Sequence, residues 1–170
     1  MKGKLALTVL VSGSFDPPTL GHRFLAERAC ACFERVIVCA FVNENKRYLF
    51  SEGERLELLR ETCAGLPVSE VRLFPGVLAD FCAQNGVSVI LRGVRGEEDL
   101  GYEQAMAEEN YRRFPGAVTV FVPCPPTLRG CSSTLARRAL EKGEAPIAFM
   151  GEIPARTALR LLRSRRGGGK

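Results

Sequence analysis

Residues 5–33 read LALTVLVSGSFDPPTLGHRFLAERACACF, and this stretch decides the fold. Its apolar run over Leu5–Ser12 predicts a strand that is buried on both faces. A polar loop follows at 13–22, and a helical pattern extends over Gly21–Phe33. A buried strand that leads through a short loop into a helix is the first half of a βαβ unit, which favours a parallel sheet.

The same alternation of apolar strands and amphipathic helices continues along the chain. Further strands are predicted at Val36–Val42, Val68–Phe74, Val87–Leu91 and Ala117–Val122. Further helices are predicted at Ser51–Ala64, Leu78–Asn85, Glu97–Phe114, Ser133–Lys142 and Ile153–Arg163. We therefore predict an α/β protein with a Rossmann-like, doubly wound, five-stranded parallel sheet. It is expected to form a single domain over residues 1–163, followed by a flexible basic tail at 164–170.

The net charge of +5 is concentrated near the end of the chain. Residues 156–170 contain six basic residues and no acidic one, and the rest of the chain has 18 basic and 19 acidic residues. A globally basic, nucleic-acid-binding surface is therefore not expected. No apolar run reaches the roughly 20 residues of a membrane helix, so no membrane partner is expected either.

The seven cysteines include no C-x-x-C pair, and most of them lie in apolar segments. Isolated cysteines in such segments are typical of reduced thiols in a protein core, which predicts a cytoplasmic protein. The chain lacks the paired ligand spacing of a zinc centre, so no protein-held metal is predicted.

The chemistry-bearing residues follow the predicted strands, where a doubly wound sheet binds its ligands. The only histidine, His22, ends the run TLGH and lies in the first turn of a helix, where an anion is favoured. The loop is neither a G-x-G-x-x-G nor a Walker sequence, so it does not support dinucleotide or P-loop binding. A capping histidine is the alternative interpretation.

Three further loops carry residues that suit phosphate. Arg92 and Arg95 flank Gly93 after the fourth strand, and two guanidinium groups there can face one phosphate-binding crevice. Ser132–Thr134 begin a helix, as an N-cap, a phosphate site or both. Lys46 follows the second strand, where it is either a ligand or a solvated charge. Glu103 is expected to orient an arginine or a ribose, or to be an exposed carboxylate.

Taken together, these motifs resemble the Thr/His-x-Gly-His nucleotidyltransferases. Within them the chain is most similar to the bacterial phosphopantetheine adenylyltransferase family over roughly residues 5–160. The motifs that carry the resemblance are Thr19–His22, Lys46, Arg92–Arg95, Asp99-x-x-Tyr102-Glu103 and Ser132–Thr134. The resemblance implies transfer of the adenylyl group of ATP, with Mg²⁺, to 4′-phosphopantetheine in coenzyme A synthesis. It also implies a homohexamer.

The resemblance also implies roles for individual residues. Catalysis would involve His22, Lys46 and Arg95. Phosphopantetheine would be bound by Ser14, Lys46, Val77, Leu78 and Arg92. ATP would be bound by Ser14, Phe15, His22, Arg92, Gly93, Val94, Arg95, Glu103, Leu128, Arg129, Gly130, Cys131, Ser132, Ser133 and Thr134.

Two other functions remain open from the sequence. One is a cytidylyltransferase that uses CTP and a small alcohol phosphate, although the run Gly130–Thr134 only half resembles the R-T-E-G-I-S-T-T pattern of that branch. The other is a nucleic-acid-binding module that uses the basic tail. The tail contains no aromatic residue among its arginines, which disfavours that function.

Overall fold

The computed structural model describes residues 3–167, which contain a sheet of five parallel strands. The strands are β1 Leu5–Gly13, β2 Phe33–Phe41, β3 Glu70–Phe74, β4 Val87–Val94 and β5 Val118–Pro123. Their order is β3-β2-β1-β4-β5. The chain therefore adds β2 and β3 on one side of β1 and then β4 and β5 on the other side. This is the doubly wound arrangement, and the predicted fold class is confirmed.

The helices cover both faces of this sheet. They are α1 Leu20–Cys32, α2 Glu52–Thr62, α3 Leu78–Asn85, α4 Glu97–Arg113, α5 Ser133–Glu141, α6 Ile147–Met150 and α7 Glu152–Gly167, with a 3₁₀ helix at Pro126–Leu128. Val9 and Val11 pack in one cluster with Leu25 of α1, whereas Leu10 packs in another with Phe81 of α3. Burial on both faces explains why β1 is apolar at successive positions from Val9 to Val11, whereas Leu5 and Leu7 at its start are exposed, contrary to the prediction. Within residues 3–167, no helix is both long enough and apolar enough to cross a membrane.

The helices at the end of the chain form a third apolar cluster against α2. Leu140 of α5, Met150 of α6 and Ala158 of α7 pack there with Phe50 and Leu58. The sequence prediction missed α6, because four residues are too few to show a helical period.

β4 is longer than the sequence predicted. It continues past Leu91 to Val94, because its last residues still pair with β5: Arg92 lies opposite Phe121, and Val94 lies opposite Pro123. Arg92 is therefore held by the sheet itself and does not lie in a loop.

α7 also extends beyond its predicted end at Arg163, to Gly167. Arg165 donates a hydrogen bond to the carbonyl oxygen of Leu49 (2.8 Å) and forms an ion pair with Glu54, and these contacts hold the last turns against the body. The helix thus continues four residues into the predicted flexible tail. Residues 168–170 of that tail lie outside the described residues, and the boundary at 163 stays a prediction.

Candidate active site

Two cavities open at the carboxyl edge of the sheet and share one wall. The first has a volume of about 300 Å³ and extends from the loop after β1 to the start of α5. The second has a volume of about 730 Å³ and extends from the same loop past the ends of β2 and β3 to α4. The shared wall consists of Ser12, Gly13, Ser14, Arg92 and Glu103. It joins β1 to β4, where the strand order switches and where doubly wound sheets bind ligands.

The loop after β1 has a fixed shape. The buried carboxylate of Asp16 accepts hydrogen bonds from the backbone N–H groups of Leu49 (2.8 Å) and Phe50 (2.9 Å). The neighbouring Phe15 has a φ of 47°, a left-handed conformation that residues other than glycine rarely adopt. Its ring is only 2% exposed, and this burial offsets the backbone strain.

The N-terminus of α5 is fastened to the same loop. Ser132 is the N-cap, and its hydroxyl accepts a hydrogen bond from the backbone N–H three residues later (3.1 Å). The Ser133 hydroxyl donates to the carbonyl oxygen of Pro17 (2.8 Å), and Arg137 donates to that of Asp16 (2.6 Å). The positive end of this helix is thereby held at the first cavity, where it favours a bound anion.

His22 is held in one orientation and is neutral near pH 7. Its Nδ1 accepts a hydrogen bond from the backbone N–H of Thr19 (2.9 Å), so the ring proton of the neutral form is on Nε2. The ring also contacts the ring of Phe15 in an edge-on arrangement, with 4.9 Å between the centroids. Burial, together with the charges of Arg92 and Arg95, lowers the pKa of His22 from 6.5 to about 4. His22 can therefore donate a hydrogen bond to a ligand without carrying charge.

Arg92 is oriented by partners on two sides. Its Nε and Nη2 donate to the two carboxylate oxygens of Glu103, at 2.6 and 2.7 Å. Its Nη1 donates to the backbone carbonyl and to the hydroxyl of Ser12. Nη2 has a second N–H for which the described residues offer no hydrogen-bond partner. Arg92 thus presents a donor at the shared wall without having to be ordered by a ligand.

Arg95 is paired in a similar way with Asp99, one helical turn further along. Its Nε and Nη2 donate to the carboxylate at 2.7 and 3.0 Å, and its backbone N–H donates at 3.2 Å. Hydrogen bonds from the Arg95 guanidinium hold the pKa of Asp99 below its ordinary value. Both side chains line the first cavity.

The second cavity contains one lysine together with apolar and other charged groups. Lys46 lies in a loop closed by two hydrogen bonds: its backbone N–H donates to the Asn43 carbonyl, and the Asn43 N–H donates to the Tyr48 hydroxyl, each at 2.9 Å. Val77, the N-cap of α3, and Leu78, the first residue of that helix, line the same cavity. α4 supplies the remaining side: Tyr102, Met106, Ala107, Glu109, Asn110 and Arg113.

Known proteins resemble this chain over most of its length. Residues 10–139 match the family model described as cytidylyltransferase-like. A phosphopantetheine adenylyltransferase from Actinobacillus pleuropneumoniae is 41% identical over 133 residues, which are 78% of this chain and 84% of that protein. One from Nocardioides sp. is 38% identical over 151 residues, 86% of this chain and 94% of that protein. The chain belongs to the phosphopantetheine adenylyltransferase family.

A solved structure supports the fold independently of this family. The Plasmodium falciparum nicotinic acid mononucleotide adenylyltransferase aligns with a TM-score of 0.63 at 13% identity, covering 92% of this chain and 96% of that one. Identity this low shows a shared fold only.

The structure brings most of the residues that the family resemblance assigns into the two cavities. Those assigned to ATP that line the first cavity are Ser14, Phe15, His22, Arg92, Gly93, Arg95, Glu103, Cys131, Ser132, Ser133 and Thr134. Those assigned to phosphopantetheine all line the second cavity: Ser14, Lys46, Val77, Leu78 and Arg92. Four residues assigned to ATP, Val94 and Leu128–Gly130, line neither cavity; the last three lie in the 3₁₀ helix and the turn before α5.

Sequence reasoning assigned no structural role to several residues that shape the site. Asp16 and Arg137 fix the loop after β1, and Asp99 orients Arg95. Only the last pair had a signal in the sequence, opposite charges four residues apart, although Arg95 lies in the loop before α4 and not on the helix. The partners of Asp16 and Arg137 are distant along the chain, so no local pattern indicates them.

Proposed function

We propose that the protein transfers the adenylyl group of ATP to 4′-phosphopantetheine, giving dephospho-coenzyme A and pyrophosphate. The observation that carries this proposal is the meeting of two cavities at one wall. The first, with His22, Arg95 and the start of α5, suits a triphosphate. The second, with Lys46 and an apolar flank, suits a phosphate on a longer, less polar arm. The names of the relatives at 38–41% identity support the same reaction.

The chemistry requires alignment more than proton transfer. The phosphate of the acceptor is already ionised near neutral pH, so no general base is needed to activate it. One of its oxygens attacks the α-phosphorus of ATP, and the bond from that phosphorus to the bridging oxygen of the β-phosphate breaks. Pyrophosphate leaves with the electron pair. Arg92, in the wall between the cavities, would offer its remaining Nη2 N–H to the phosphates that meet there.

His22 and its neighbours would stabilise the charge that develops during this transfer. Neutral His22 donates through Nε2–H, and its pKa of about 4 keeps the ring uncharged at neutral pH. Arg95 and the N-terminus of α5 supply positive potential on the side of the leaving pyrophosphate. On the acceptor side, Lys46 supplies a positive charge.

We propose that Mg²⁺ enters with ATP. Residues 3–167 contain no group of three or more histidine, cysteine, aspartate or glutamate side chains arranged to hold a metal ion. Mg²⁺ commonly binds through substrate phosphates and water, with few protein ligands. The phosphate oxygens of ATP would therefore hold it.

We also propose that the protein assembles as a homohexamer in the cytoplasm. None of the residues of α4, all of which are described, is buried. Tyr102, Met106 and Tyr111 of this helix are exposed, as are Val118 and Val120 of the edge strand β5, and such an apolar face favours self-association.

The seven cysteines are all free, which suits a reducing compartment. Sedimentation equilibrium should give six times the chain mass of 18.6 kDa.

The decisive experiment measures pyrophosphate release with ATP or CTP, each combined with phosphopantetheine, glycerol 3-phosphate or phosphoethanolamine. We expect fast turnover only for ATP with phosphopantetheine, and dephospho-coenzyme A as the second product. Faster turnover of CTP with glycerol 3-phosphate would replace the proposal with the cytidylyltransferase alternative.

A further inference from the structure

Arg55 of α2 is a fully buried cation directly behind the wall that the two cavities share. Its side chain is 0% exposed and lines neither cavity. Its Nη1 donates hydrogen bonds to the carbonyl oxygens of Ser14 (2.8 Å) and Phe41 (3.2 Å). Phe41 ends β2, and Ser14 directly follows β1. One nitrogen atom therefore ties together the carboxyl ends of two neighbouring strands.

The same guanidinium also contacts the loop that carries Lys46. Its Cζ lies 4.0 Å from the centroid of the Tyr48 ring, and the hydroxyl of that ring accepts the hydrogen bond from Asn43 that closes the loop. A cation over an aromatic face is an attractive contact that strengthens when water is excluded. Arg55 thus connects Ser14 on one side of the second cavity to the Lys46 loop on another.

Folding stability alone does not account for this arginine. Its Nε and Nη2 are buried and have no hydrogen-bond partner among residues 3–167, and no carboxylate in that range forms an ion pair with it. A buried charge with unpaired N–H groups is unfavourable for folding, and an apolar side chain of similar volume is often better tolerated. Its positive charge, however, is screened little by water and would favour an anion on the other side of Ser14.

We propose that Arg55 is a positioning residue for the phosphate of the acceptor. It sets the spacing between Ser14 and the Lys46 loop, and it adds positive potential behind them. This inference rests on the proposed function, because it takes the second cavity as the place where the acceptor's phosphate binds. Arg55 acts through its contacts and does not touch the substrate.

The test compares Arg55→Met with Arg55→Lys and with Arg60→Met, a matched change at an exposed arginine of the same helix. KM for phosphopantetheine, KM for ATP, kcat and thermal unfolding are measured for each. For Arg55→Met we expect the acceptor KM to rise about tenfold or more and the ATP KM to change by less than about threefold. Arg55→Lys should recover part of the loss, because it keeps the charge and can still donate to a carbonyl. Arg60→Met should behave like the unmodified protein.

A second variant tests the link through Tyr48 without touching the buried charge. Tyr48→Leu should raise the acceptor KM more than Tyr48→Phe, which loses only the hydrogen bond from Asn43 and keeps the ring against Arg55. Combining Tyr48→Leu with Arg55→Met should add less than the sum of the single effects, because both remove the same ring–cation contact. Tyr48→Leu carries the test if Arg55→Met does not fold, since Tyr48 is only half-buried.

Three outcomes would overturn the inference. An unchanged acceptor KM in a folded Arg55→Met protein, or in Tyr48→Leu where Arg55→Met does not fold, would show that Arg55 does not position the phosphate. An equal rise in both KM values together with a lowered unfolding temperature would show a general structural role. If the unmodified protein itself turned over no phosphopantetheine, the proposed function would fail and this inference with it, so the two failures are distinguishable.

Discussion

At the scale of single residues, the site is ordered before any ligand binds. Arg92 is held by Glu103 and Arg95 by Asp99, so neither guanidinium has to lose its freedom when phosphate arrives. Thr19 fixes the tautomer and orientation of His22 in the same way. Donors that are already aimed stabilise developing charge without reorganisation, which is an efficient way to speed phosphoryl transfer.

His22→Ala should lower kcat for adenylyl transfer on the order of 10²–10³-fold, the usual loss for one donor aimed at developing charge. Steady-state kinetics and circular dichroism together separate catalysis from folding. His22→Gln, which keeps an N–H donor near the same place, should retain more activity than His22→Ala. Near-normal turnover of a folded His22→Ala protein would instead assign His22 to helix capping alone.

The stability of the protein should fall as the pH is lowered from about 6.5 to about 4. The folded-state pKa of His22 is lowered to about 4, so between these values the unfolded chain binds a proton that the folded protein does not. Stability from this source is complete above pH 6.5 and lost once the pH reaches 4. Urea unfolding across this range measures it, and His22→Gln should show a shallower decline. Parallel declines in the two proteins would contradict this assignment.

Lys46→Ala should weaken binding of the acceptor more than binding of ATP, because Lys46 lines only the second cavity. We expect its KM for phosphopantetheine to rise about 10- to 100-fold, which corresponds to the ~1.5–3 kcal/mol of a hydrogen bond to a charged group. Arg47→Ala is the matched control, since Arg47 is the next residue, is exposed and lines neither cavity. A loss in Lys46→Ala confined to the ATP KM would reverse the assignment of the cavities.

At the scale of elements, helices outside the sheet hold the loops that line the site. Backbone groups just before α2 bind Asp16, Arg137 of α5 donates to the carbonyl of the same residue, and Arg165 of α7 donates to Leu49. α7 in turn packs its apolar residues against α2 in the third cluster. α7 therefore supports the first loop, although none of its described residues lines either cavity.

Two truncations separate the apolar and the charged contributions of α7. Ending the chain after Ala155 removes Ala158, Leu159 and Leu162 from the third cluster and should destabilise the protein by at least about 3 kcal/mol. Ending it after Arg163 removes the partly exposed ion pair of Arg165 with Glu54 and the hydrogen bond of Arg165 to Leu49, and should cost less than about 2 kcal/mol. Thermal and denaturant unfolding measure both. A larger loss from the shorter deletion would show that the last turns matter more than the leucines.

At the scale of the whole molecule, the excess positive charge belongs to the C-terminal segment 156–170. Arg156, Arg160 and Arg165 form ion pairs with Glu152, Glu57 and Glu54. Arginines that are paired with carboxylates release fewer counterions on binding nucleic acid than unpaired ones. Part of the positive charge of this segment is therefore paired with carboxylates of the protein itself. This pairing disfavours the nucleic-acid-binding alternative.

Duplex DNA should accordingly bind weakly at low salt and not measurably at about 0.15 M salt with micromolar protein. Fluorescence anisotropy with a labelled duplex over a salt series measures this, and the chain ended after Arg163 is the matched comparison. Tight binding at 0.15 M salt that the truncation removes would restore the alternative.

The sequence predicted the fold well and the site in part. The doubly wound sheet followed from apolar strands that alternate with helices, since local hydrophobic period reports which faces are buried. The sequence did not predict that β4 ends at Val94, because pairing with β5 extends the strand beyond its apolar run. The sequence did not predict α6 either, because four residues are too few to show a helical hydrophobic period.

The sequence by itself determined the class of fold, the family and the types of residue at the edge of the sheet. Each of these follows from a local hydrophobic pattern or from motifs that occur in a fixed order. Only the tertiary structure decided which groups meet. It paired Arg92 with Glu103, set Asp16 against Leu49 and Phe50, and buried Arg55 behind Ser14. These contacts join segments 11 to 41 residues apart, and such partners are chosen by packing, about which a local pattern carries no information.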